Sequence, residues 1–501
     1  MARLKEYNGH YCESEYEYAF IGFLEAEGWK YSSGNNISRV TKRDVLIADD
    51  FKKFIADTNP DLTEDEVIQI YDNVRLVGAE SDFATLHKVY GWMVNGVQFT
   101  TQDGLPRMIP LIDFDNWDKN IFRVVNQFTV EYTNNGQKEN RRPDVLLFVN
   151  GMPLCVIELK NPADANATIY DAWEQINIRY WRDIPHLLHY CPLACISDGV
   201  KTRLGTVRTP YEHFYAWRRV NEGDAVSTLP FAETETMIKG VYAPERFMEI
   251  FRDYIYFQDS IYDSDEVEII CRYPQFFAAK LLKQSIVNSV VTRSGKGGTY
   301  FGATGCGKTY TMAFLARQLA LRCTDIPEIG SPTIILIVDR DELQKQGSKL
   351  FTKSKEFLNL GEVSVVKNRT QLRQELGARQ SGGFYICTIQ KFCDRKDDKI
   401  GLINDRQNII CFSDEAHRTQ LEHSKKIQFS KDADENMKAM VSKPYAKVLK
   451  EAFPHATFVG FTGTPIAETY QTFGDEIDRY TMDQAVADGL TVSIKYHPRI
   501  A

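Results

Sequence analysis

The chain has 501 residues, too many for one hydrophobic core, since single cores stop growing at about 250 to 300 residues. Its composition, 43% hydrophobic and 26% charged, is that of a globular protein, and no apolar run approaches the roughly 20 residues of a membrane span. The formal net charge of -8 argues against nucleic-acid binding through overall basicity, but it allows a local basic groove. The first residues are typical of neither a secretion signal nor a transit peptide. We therefore expect a cytoplasmic protein of two or three domains without a membrane partner.

The first part of the chain reads as a mixed α/β domain. Ser14 with Glu17 three residues later fits a capping box, which predicts a helix over about 14–28. Thr63 and Glu66 predict a second helix start of the same kind. Alternating apolar runs follow, and they predict strands.

Two of these runs, PDVLLFV and PLCVIEL, are joined by Asn150-Gly151. An Asn-Gly pair suits a type I′ turn, so we expect an antiparallel hairpin. The hairpin places Asp144 on one strand, and Glu158 and Lys160 on the next. Residues two apart on a strand point to the same face, so Glu158 and Lys160 are expected to project together beside Asp144.

This trio has the arrangement PD…(D/E)xK. Two carboxylates suit a hard cation such as Mg²⁺, with Asp144 and Glu158 as ligands. Lys160 could position the attacking water or stabilise negative charge at phosphorus, which predicts hydrolysis of a phosphodiester. A solvent-facing ion pair is the alternative interpretation of the same three residues.

The segment from about 240 to 270 lacks clear strand alternation, and we place the domain boundary after residue 250. Beyond it, the strand-like runs TIILIVD, FYICTI, IICFSDE and TFVGFTG alternate with helical patterns. Such alternation predicts a parallel sheet with crossover helices. We therefore expect one domain over 1–250, a second over 251–485, and the start of a connection over 486–501.

A glycine-rich segment in the second domain matches G-x-x-x-x-G-K-[ST] and precedes a helical pattern, as a phosphate-binding loop requires. Its glycines allow backbone N–H groups to approach phosphates, Lys308 is expected to reach the β and γ phosphates of ATP, and Thr309 is expected to ligate Mg²⁺. A glycine turn before a helix is the alternative. The segment consists of Gly302, Ala303, Thr304, Gly305, Cys306, Gly307, Lys308 and Thr309.

Asp414 and Glu415 open the tetrapeptide DEAH after the apolar strand IICFS. Ligands of open α/β sheets bind at the carboxyl ends of strands, so both carboxylates are expected near the nucleotide. Asp414 would hold Mg²⁺ through its shell, and Glu415 would orient or deprotonate the attacking water. An exposed acidic turn is the alternative for DEAH taken alone.

The phosphate loop, DEAH and the later Thr462-Gly-Thr-Pro465 resemble, in this order, the motifs of superfamily 2 helicases. The resemblance implies a RecA-like motor lobe in which the TGTP loop couples the nucleotide to DNA. Arg272, Tyr273 and Gln275 look like the element that reads adenine in that family. TIQKF (388–392) and VDRDELQKQ (338–346) resemble DNA-tracking motifs, although polar loop residues of this kind are usually only solvated.

The stretch RRPDVLLFVNGMPLCVIELKNP and the helical AWEQINIRYW after it resemble the nuclease domain of type I restriction enzyme R subunits. In that family a Gln and a Tyr on the helix after the lysine strand help to hold the site. Gln175 matches. Tyr180 lies five residues later, and on an α-helix this spacing turns it off the face of Gln175, so it is not expected at the site. An acidic residue of the first helix often completes the metal site, and Glu17 is our candidate.

A nuclease placed before the motor distinguishes type I from type III restriction subunits, which carry the nuclease after it. The resemblance implies an ATP- and Mg²⁺-dependent enzyme that moves and cuts double-stranded DNA together with modification and specificity subunits. It also implies that this chain ends after the first motor lobe. The alternatives are a helicase-like ATPase, or an assembly module, whose nuclease domain is inactive.

Overall fold

The structure is a computed structural model that describes residues 13–492, apart from residues 79, 162–167, 227–231, 259–265, 304, 339–349, 354, 393–399 and 417–444. The chain divides into two compact units, Met1–Tyr273 and Pro274–Ala501. In the described part of the chain, no helix has the length and apolar character that a membrane crossing requires.

The first unit is built on a mixed sheet of six described strands in the order β1-β4-β7-β8-β9-β10. β1 pairs parallel to β4 and β8 parallel to β9, while the other neighbours are antiparallel. Three two-stranded sheets, β2–β3, β5–β6 and β11–β12, accompany it. In chain order the strands are β1 (Lys30–Ser33), β2 (Val97–Thr100), β3 (Pro106–Ile109), β4 (Phe122–Asn126), β5 (Val130–Asn134), β6 (Gln137–Arg141), β7 (Val145–Val149), β8 (Met152–Leu159), β9 (Leu193–Ser197), β10 (Thr202–Thr206), β11 (Ile255–Gln258) and β12 (Val267–Ile270).

Helices cover this sheet, and β7 and β8 are buried along their whole length. Thr63 and Glu66 form the capping box expected at the start of α3. The helices are α1 (Glu13–Ala26), α2 (Ala48–Thr58), α3 (Glu64–Arg75), α4 (Asp82–Asn95), α5 (Ile169–Glu174), α6 (Trp181–Asp183), α7 (Pro185–Leu188), α8 (Ala232–Met237) and α9 (Pro244–Asp253). π-helical turns span Gln175–Tyr180 and Ile238–Tyr242, and 3₁₀ turns span Gly34–Asn36, Trp117–Lys119 and Tyr211–His213.

The boundary expected after residue 250 falls inside α9, and the first unit continues to Tyr273. The reason is packing between segments that are distant in the sequence. The Tyr90 hydroxyl donates to the carbonyl of Phe251 at 2.8 Å, and its ring lies 4.9 Å from that of Phe257 in β11. Helix α9 and the β11–β12 hairpin therefore belong to the first unit.

The predicted turn between β7 and β8 is confirmed. Asn150 and Gly151 have φ values of 50° and 78°, as a type I′ turn requires. The Asn150 side chain is fully buried and donates to the carbonyl of Leu111 and to Asn120 Oδ1. Its Oδ1 accepts the backbone N–H of Ile121 at 2.8 Å. Asn150 thus shapes the turn and also satisfies buried polar groups from outside the hairpin.

The second unit contains the predicted parallel sheet, with seven described strands in the order β15-β16-β14-β17-β18-β13-β19. Every neighbouring pair is parallel. The strands are β13 (Lys296–Gly302), β14 (Thr333–Val338), β15 (Val363–Val365), β16 (Phe384–Thr388), β17 (Ile409–Asp414), β18 (Thr457–Thr462) and β19 (Glu476–Tyr480). The helices are α10 (Tyr273–Thr292), α11 (Lys308–Arg322), α12 (Lys355–Leu358), α13 (Arg369–Ala378), α14 (Tyr445–Ala452), α15 (Ala467–Phe473) and α16 (Met482–Ala487), with a 3₁₀ turn over Ile389–Phe392.

The Asn150 contacts predict unequal effects of one substitution at the two Asn-Gly turns of the first unit. Asn150→Ala should lower the free energy of unfolding by about 3 kcal/mol, because it leaves buried polar groups without their hydrogen-bond partner and places alanine at positive φ. Asn135→Ala, at the exposed Asn-Gly turn between β5 and β6 with φ of 48°, should cost only about 1 kcal/mol.

The measurement is urea unfolding followed by tryptophan fluorescence. All six tryptophans lie in the first unit, so the signal reports that unit alone. Equal losses in the two variants would contradict the role assigned to the Asn150 side chain.

Candidate active sites

Three residues of the predicted nuclease trio meet at one edge of the six-stranded sheet. Asp144 immediately precedes β7, and Glu158 is the penultimate residue of the antiparallel β8. Asp144 Oδ2 accepts the backbone N–H of Leu159 at 2.8 Å. Lys160 follows β8, and its backbone N–H donates to the carbonyl of Ser197, at the end of β9, at 2.8 Å. The pairing of β8 with β7 and with β9 therefore fixes the backbone positions of Asp144, Glu158 and Lys160.

Glu158 is the most unusual ionisable group of this edge. Its side chain is completely buried, and none of the residues that the structure describes donates a hydrogen bond to its Oε2 atom. The Lys160 ammonium lies 3.8 Å from that oxygen. Burial raises the pKa of Glu158 well above its usual range, the neighbouring Asp144 carboxylate raises the pKa further, and Lys160 opposes both effects. Ionised Glu158 is therefore disfavoured at this edge unless a further positive charge binds beside it.

A divalent cation fits this arrangement. Mg²⁺ is commonly bound by one or two carboxylates, with water and phosphate oxygens completing its shell. Asp144 and Glu158 supply two carboxylates, and the buried, unbonded Glu158 Oε2 is an acceptor in need of a partner. Within the described residues, no group of three or more His, Cys, Asp and Glu side chains is placed to hold a metal ion.

Gln175 and Tyr180 both lie at this site, so the expectation that Tyr180 is turned away was wrong. Lys160 Nζ donates to Gln175 Oε1, and Gln175 Nε2 donates to the Tyr180 hydroxyl, each at 2.9 Å. The Tyr180 hydroxyl in turn donates to Glu158 Oε1. The physical reason is the π-helical turn over Gln175–Tyr180, because its wider i→i+5 pitch brings residues five apart onto one face.

Glu17 is not a capping residue. Helix α1 already includes Glu13, so Ser14 lies inside it, and both Glu17 carboxylate oxygens accept hydrogen bonds from side chains at the end of β4. The donors are Asn126 Nδ2 at 2.6 Å and Gln127 Nε2 at 2.8 Å. Gln127 also donates its backbone N–H to the carbonyl of Asp144, so Glu17 is tied to the same edge of the sheet. Its role as a metal ligand stays a prediction.

The predicted phosphate loop connects β13 to α11 in the second unit. Gly305 and Gly307 have φ values of 83° and 81°, a left-handed conformation that glycine adopts without strain. A side chain at Gly302 would meet Cys306 Sγ at 2.9 Å. Lys308 begins α11, and its ammonium donates to the carbonyl of Gly302 at 3.2 Å. The loop therefore curls back on itself at the start of a helix, a form suited to phosphate.

The predicted carboxylates lie at the end of β17, on the same edge of the parallel sheet as the loop. Lys308 Nζ is 3.8 Å from Glu415 Oε1. Burial and the adjacent Glu415 raise the pKa of Asp414 to about 6, and Lys308 opposes this shift. Thr309 is half-buried in the first turn of α11. The structure thus brings Lys308, Asp414 and Glu415 together from separate segments.

The remaining motor residues are described in part. Gln275 is buried and donates to the carbonyl of Gly307 in the loop at 3.4 Å. Arg272 stacks over Tyr215 at 4.9 Å and Tyr273 packs on Trp217, contacts within the first unit, so adenine reading by these two stays a prediction. Thr462 ends β18, and its hydroxyl accepts the N–H of Thr464 at 3.1 Å. In TIQKF, Thr388 is the last residue of β16, and the other four residues form a 3₁₀ turn. Thr304, His417 and residues 339–346 lie outside the described residues.

Comparison with known proteins assigns both units. The family described as the type I restriction enzyme R protein N terminus matches residues 11–213, and the SWI2/SNF2 ATPase family matches residues 274–501. The endonuclease subunit of the type I restriction enzyme HindI from Haemophilus influenzae is 31% identical over 509 residues, 97% of this chain and 46% of that protein.

The chain is similar over nearly its whole length to the R subunits of type I restriction enzymes.

A second member of the R-subunit family, described as the MjaIXP endonuclease subunit from Methanocaldococcus jannaschii, is 30% identical over 518 residues, again 97% of this chain and 46% of the relative. The chain thus spans about half the length of these two relatives. The fragment structure of a protein described as an HsdR subunit from Vibrio vulnificus YJ016 is matched at 16% identity, over 75% of this chain and 57% of that chain. Its TM-score of 0.28 is too low to carry an argument about the fold.

The R-subunit resemblance expected from the sequence is therefore confirmed. The N-terminal family match covers Glu17 and the whole Asp144–Tyr180 site, and the ATPase match covers the phosphate loop and Asp414. The roles of individual residues stay predictions, since the comparisons assign families and not side chains.

The burial of Glu158 predicts that the site is a source of instability. Glu158→Gln should raise the free energy of unfolding by about 1 to 3 kcal/mol at pH 8 in a chelator, because it removes a buried charge and its amide can donate to Asp144. The folded state holds the Glu158 proton more tightly than the unfolded state. The parent is therefore penalised only above the ordinary glutamate pKa, and the gain should disappear near pH 4.

Glu66→Gln is the matched control with the opposite expected sign. Glu66 is also buried, but backbone N–H groups of Thr63 and Gln102 lower the pKa of its carboxyl. This variant should lose stability above pH 5, and the loss should shrink as the pH falls below the ordinary glutamate pKa. If Glu158→Gln lost stability at pH 8 in the same urea titrations, the electrostatic account of the site would be wrong.

Proposed function

We propose that the first unit is a Mg²⁺-dependent DNA endonuclease and the second unit the first lobe of an ATP-driven DNA translocase. The observation that carries the nuclease proposal is the fully buried Glu158 carboxylate. Its unbonded oxygen is flanked by Asp144 and by the Lys160 ammonium. Removing a carboxylate from water is costly, and a fold retains such a group when it binds a cation or takes part in chemistry.

In this proposal each residue of the edge has a separate task. Asp144 and Glu158 would hold Mg²⁺, which when bound supplies positive charge to the scissile phosphate and lowers the pKa of an attacking water. Lys160 places a second positive charge beside the same oxygen, where it can stabilise negative charge on the phosphate. Gln175 and Tyr180 position Lys160 and Glu158 through their hydrogen bonds. Glu17 is proposed as a further acidic ligand, which requires it to give up its hydrogen bonds from Asn126 and Gln127, since the described residues as they stand bring no third carboxylate to the pair.

The motor proposal rests on the contact of Lys308 with Glu415 and the burial of Asp414 beside them. Lys308 and the loop backbone would bind the phosphates of ATP, while Thr309 and Asp414 would hold its Mg²⁺. Glu415 would orient the attacking water. Gln275, which already contacts the loop, is proposed to read adenine together with Arg272 and Tyr273.

The partners follow from the family. The similarity to type I restriction enzymes supports double-stranded DNA as the substrate. We propose that the full protein works with modification and specificity subunits that recognise the DNA target sequence. We place this assembly in the cytoplasm, where DNA and ATP are both accessible. The rival proposal is a helicase-like ATPase or assembly module with an inactive nuclease.

The deciding experiment is cleavage of supercoiled plasmid by the full-length protein with its partner subunits, ATP and Mg²⁺. Asp144→Asn and Lys160→Ala should each reduce cleavage by about 100-fold or more while ATP hydrolysis continues, and Lys308→Ala should abolish both. Lys53→Gln, at an exposed position of α2, serves as the control. Cleavage by Asp144→Asn at the parent rate would reject the nuclease and favour the rival.

Tyr180→Phe tests the proposed positioning role. Loss of the hydroxyl frees Glu158 Oε1 and Gln175, so cleavage should fall by about 10- to 100-fold, and the Mg²⁺ concentration for half-maximal rate should rise. Tyr190→Phe is the matched control, because Tyr190 is equally buried and its hydroxyl donates to the carbonyl of Val74 at 2.6 Å. A purely structural role for Tyr180 would leave the Mg²⁺ dependence of the two variants alike.

A further inference from the structure

We propose that four exposed cations, on the β5–β6 hairpin that leads into Asp144 and on the loop bonded to that hairpin, bind the backbone phosphates of the DNA duplex that is cleaved. We name them the basic rim, and they are Lys42, Arg43, Lys138 and Arg142. The inference rests on the proposed nuclease function and adds to it the surface that holds the substrate.

The basic rim is assembled from a hairpin and a loop that share a backbone contact. In the β5–β6 hairpin, Lys138 lies opposite Thr133 toward the tip. Arg142 follows β6 directly and stands two residues before Asp144. The carbonyl of Lys42 accepts the N–H of Glu131, in β5, at 3.0 Å. The loop carrying Lys42 and Arg43 is thus attached to the strand beside the one that leads into the site.

This loop is held in place by its own contacts. The Arg39 guanidinium stacks over the ring of Phe128 at 3.8 Å and donates to the carbonyl of Asp44. The Asp44 carboxylate accepts the backbone N–H of Thr41 at 2.9 Å and pairs with Arg75 at 3.2 Å. Little conformational entropy would therefore be lost when the loop binds a ligand.

The charges of the rim are uncompensated, while those of nearby acids are engaged. All four rim side chains are exposed, and among the described residues none of them forms an ion pair. By contrast, Asp44 is paired as above, Glu139 accepts from Tyr132 and Asn134, and Asp183 is bound by two arginines. Glu131 interacts with the guanidinium of Arg39. Counted together, residues 39–44 and 130–142 carry six cations and three carboxylates, so the local charge of these two segments is positive.

A polyanion is the ligand that such a surface fits, and the direct continuation of the β5–β6 hairpin into the proposed cleavage residue Asp144 selects DNA. Four cations on a hairpin and its neighbouring loop can contact several successive phosphates, which are spaced about 3.4 Å along the duplex axis on each strand. They read no sequence, since phosphate contacts position a duplex without identifying its bases. The overall charge of -8 is compatible with this surface because only the local field matters.

The test is binding of a fluorescent 20-base-pair duplex to the 501-residue chain, by anisotropy, over a range of salt concentrations without divalent metal. Changing all four rim residues to Gln should weaken binding at least about tenfold at 50 mM salt. It should also reduce the slope of log K against log salt by about 2 to 4, because each lost phosphate contact removes roughly 0.9 from it. Equal affinity and slope in the parent and the rim variant would overturn the proposal.

A matched control carries the same change of net charge at other exposed positions. It consists of Lys30→Gln, Lys53→Gln, Lys119→Gln and Lys239→Gln. Lys30 and Lys119 precede or begin the strands β1 and β4, at the edge of the sheet opposite Asp144. This control should bind like the parent. An equal loss in the control and rim variants would show a general charge effect and reject the rim.

Two further variants distinguish loss of phosphate binding at the rim from misfolding and from failure of the nuclease proposal. A rim that keeps its charges but exchanges Lys and Arg should retain parental affinity, whereas loss of binding in this variant would contradict the phosphate assignment. Asp144→Asn should bind DNA but not cut it in the assembled enzyme. Normal cleavage by Asp144→Asn would reject the nuclease proposal. If Asp144→Asn loses cleavage but the rim variant binds DNA as tightly as the parent, only the rim proposal is rejected.

Discussion

The burial of one carboxylate, Glu158, governs the organisation of the first unit's site. The side chain sits at the end of β8, a strand buried on both faces, so water cannot solvate its charge. Each group around it can be understood as partial compensation. Lys160 supplies charge at 3.8 Å, Tyr180 supplies a hydrogen bond, and Gln175 links the two. The compensation is incomplete, because within the described part of the chain Oε2 accepts no hydrogen bond, and this makes the edge suitable for a cation.

The second unit applies the same principle to a different ligand. Asp414 is buried at the end of β17 beside Glu415, and both effects disfavour its charge, while Lys308 opposes them only in part. In both units the groups converge where strands end, since strand ends are the points at which backbone pairing stops and side chains from several segments can meet. The sheets thus provide fixed positions, and the loops after them provide the chemistry.

Charge is distributed on two scales in this protein. The chain as a whole is acidic, which keeps it from binding polyanions indiscriminately. Close to Asp144 the acids are engaged by arginines or by hydrogen bonds, and four cations are left exposed. Around the interior carboxylates positive charge is scarce, and at the rim it is in surplus. The surface thus favours a polyanion, while the interior carboxylates favour a cation.

Local chemistry allowed much of this to be predicted from the sequence alone. The Asn150-Gly151 turn, the capping box of Thr63 and Glu66, and the parallel sheet of the second unit each depend on residues close together in the chain. The spacing of Asp144, Glu158 and Lys160 across a hairpin follows from strand geometry, and the phosphate loop follows from glycine conformation.

Tertiary structure decided the rest. Tyr180 reaches Glu158 because residues 175–180 form a π-helical turn. The local sequence did not predict this turn, since the residues that Gln175 and Tyr180 contact lie on another element. Glu17 bonds to Asn126 and Gln127, about 110 residues away, instead of capping its own helix. The first unit extends past residue 250 because α9 and the β11–β12 hairpin pack on it. In each case a contact between segments distant in the chain outweighs the local preference, since burial and hydrogen bonding reward proximity in space irrespective of separation in sequence.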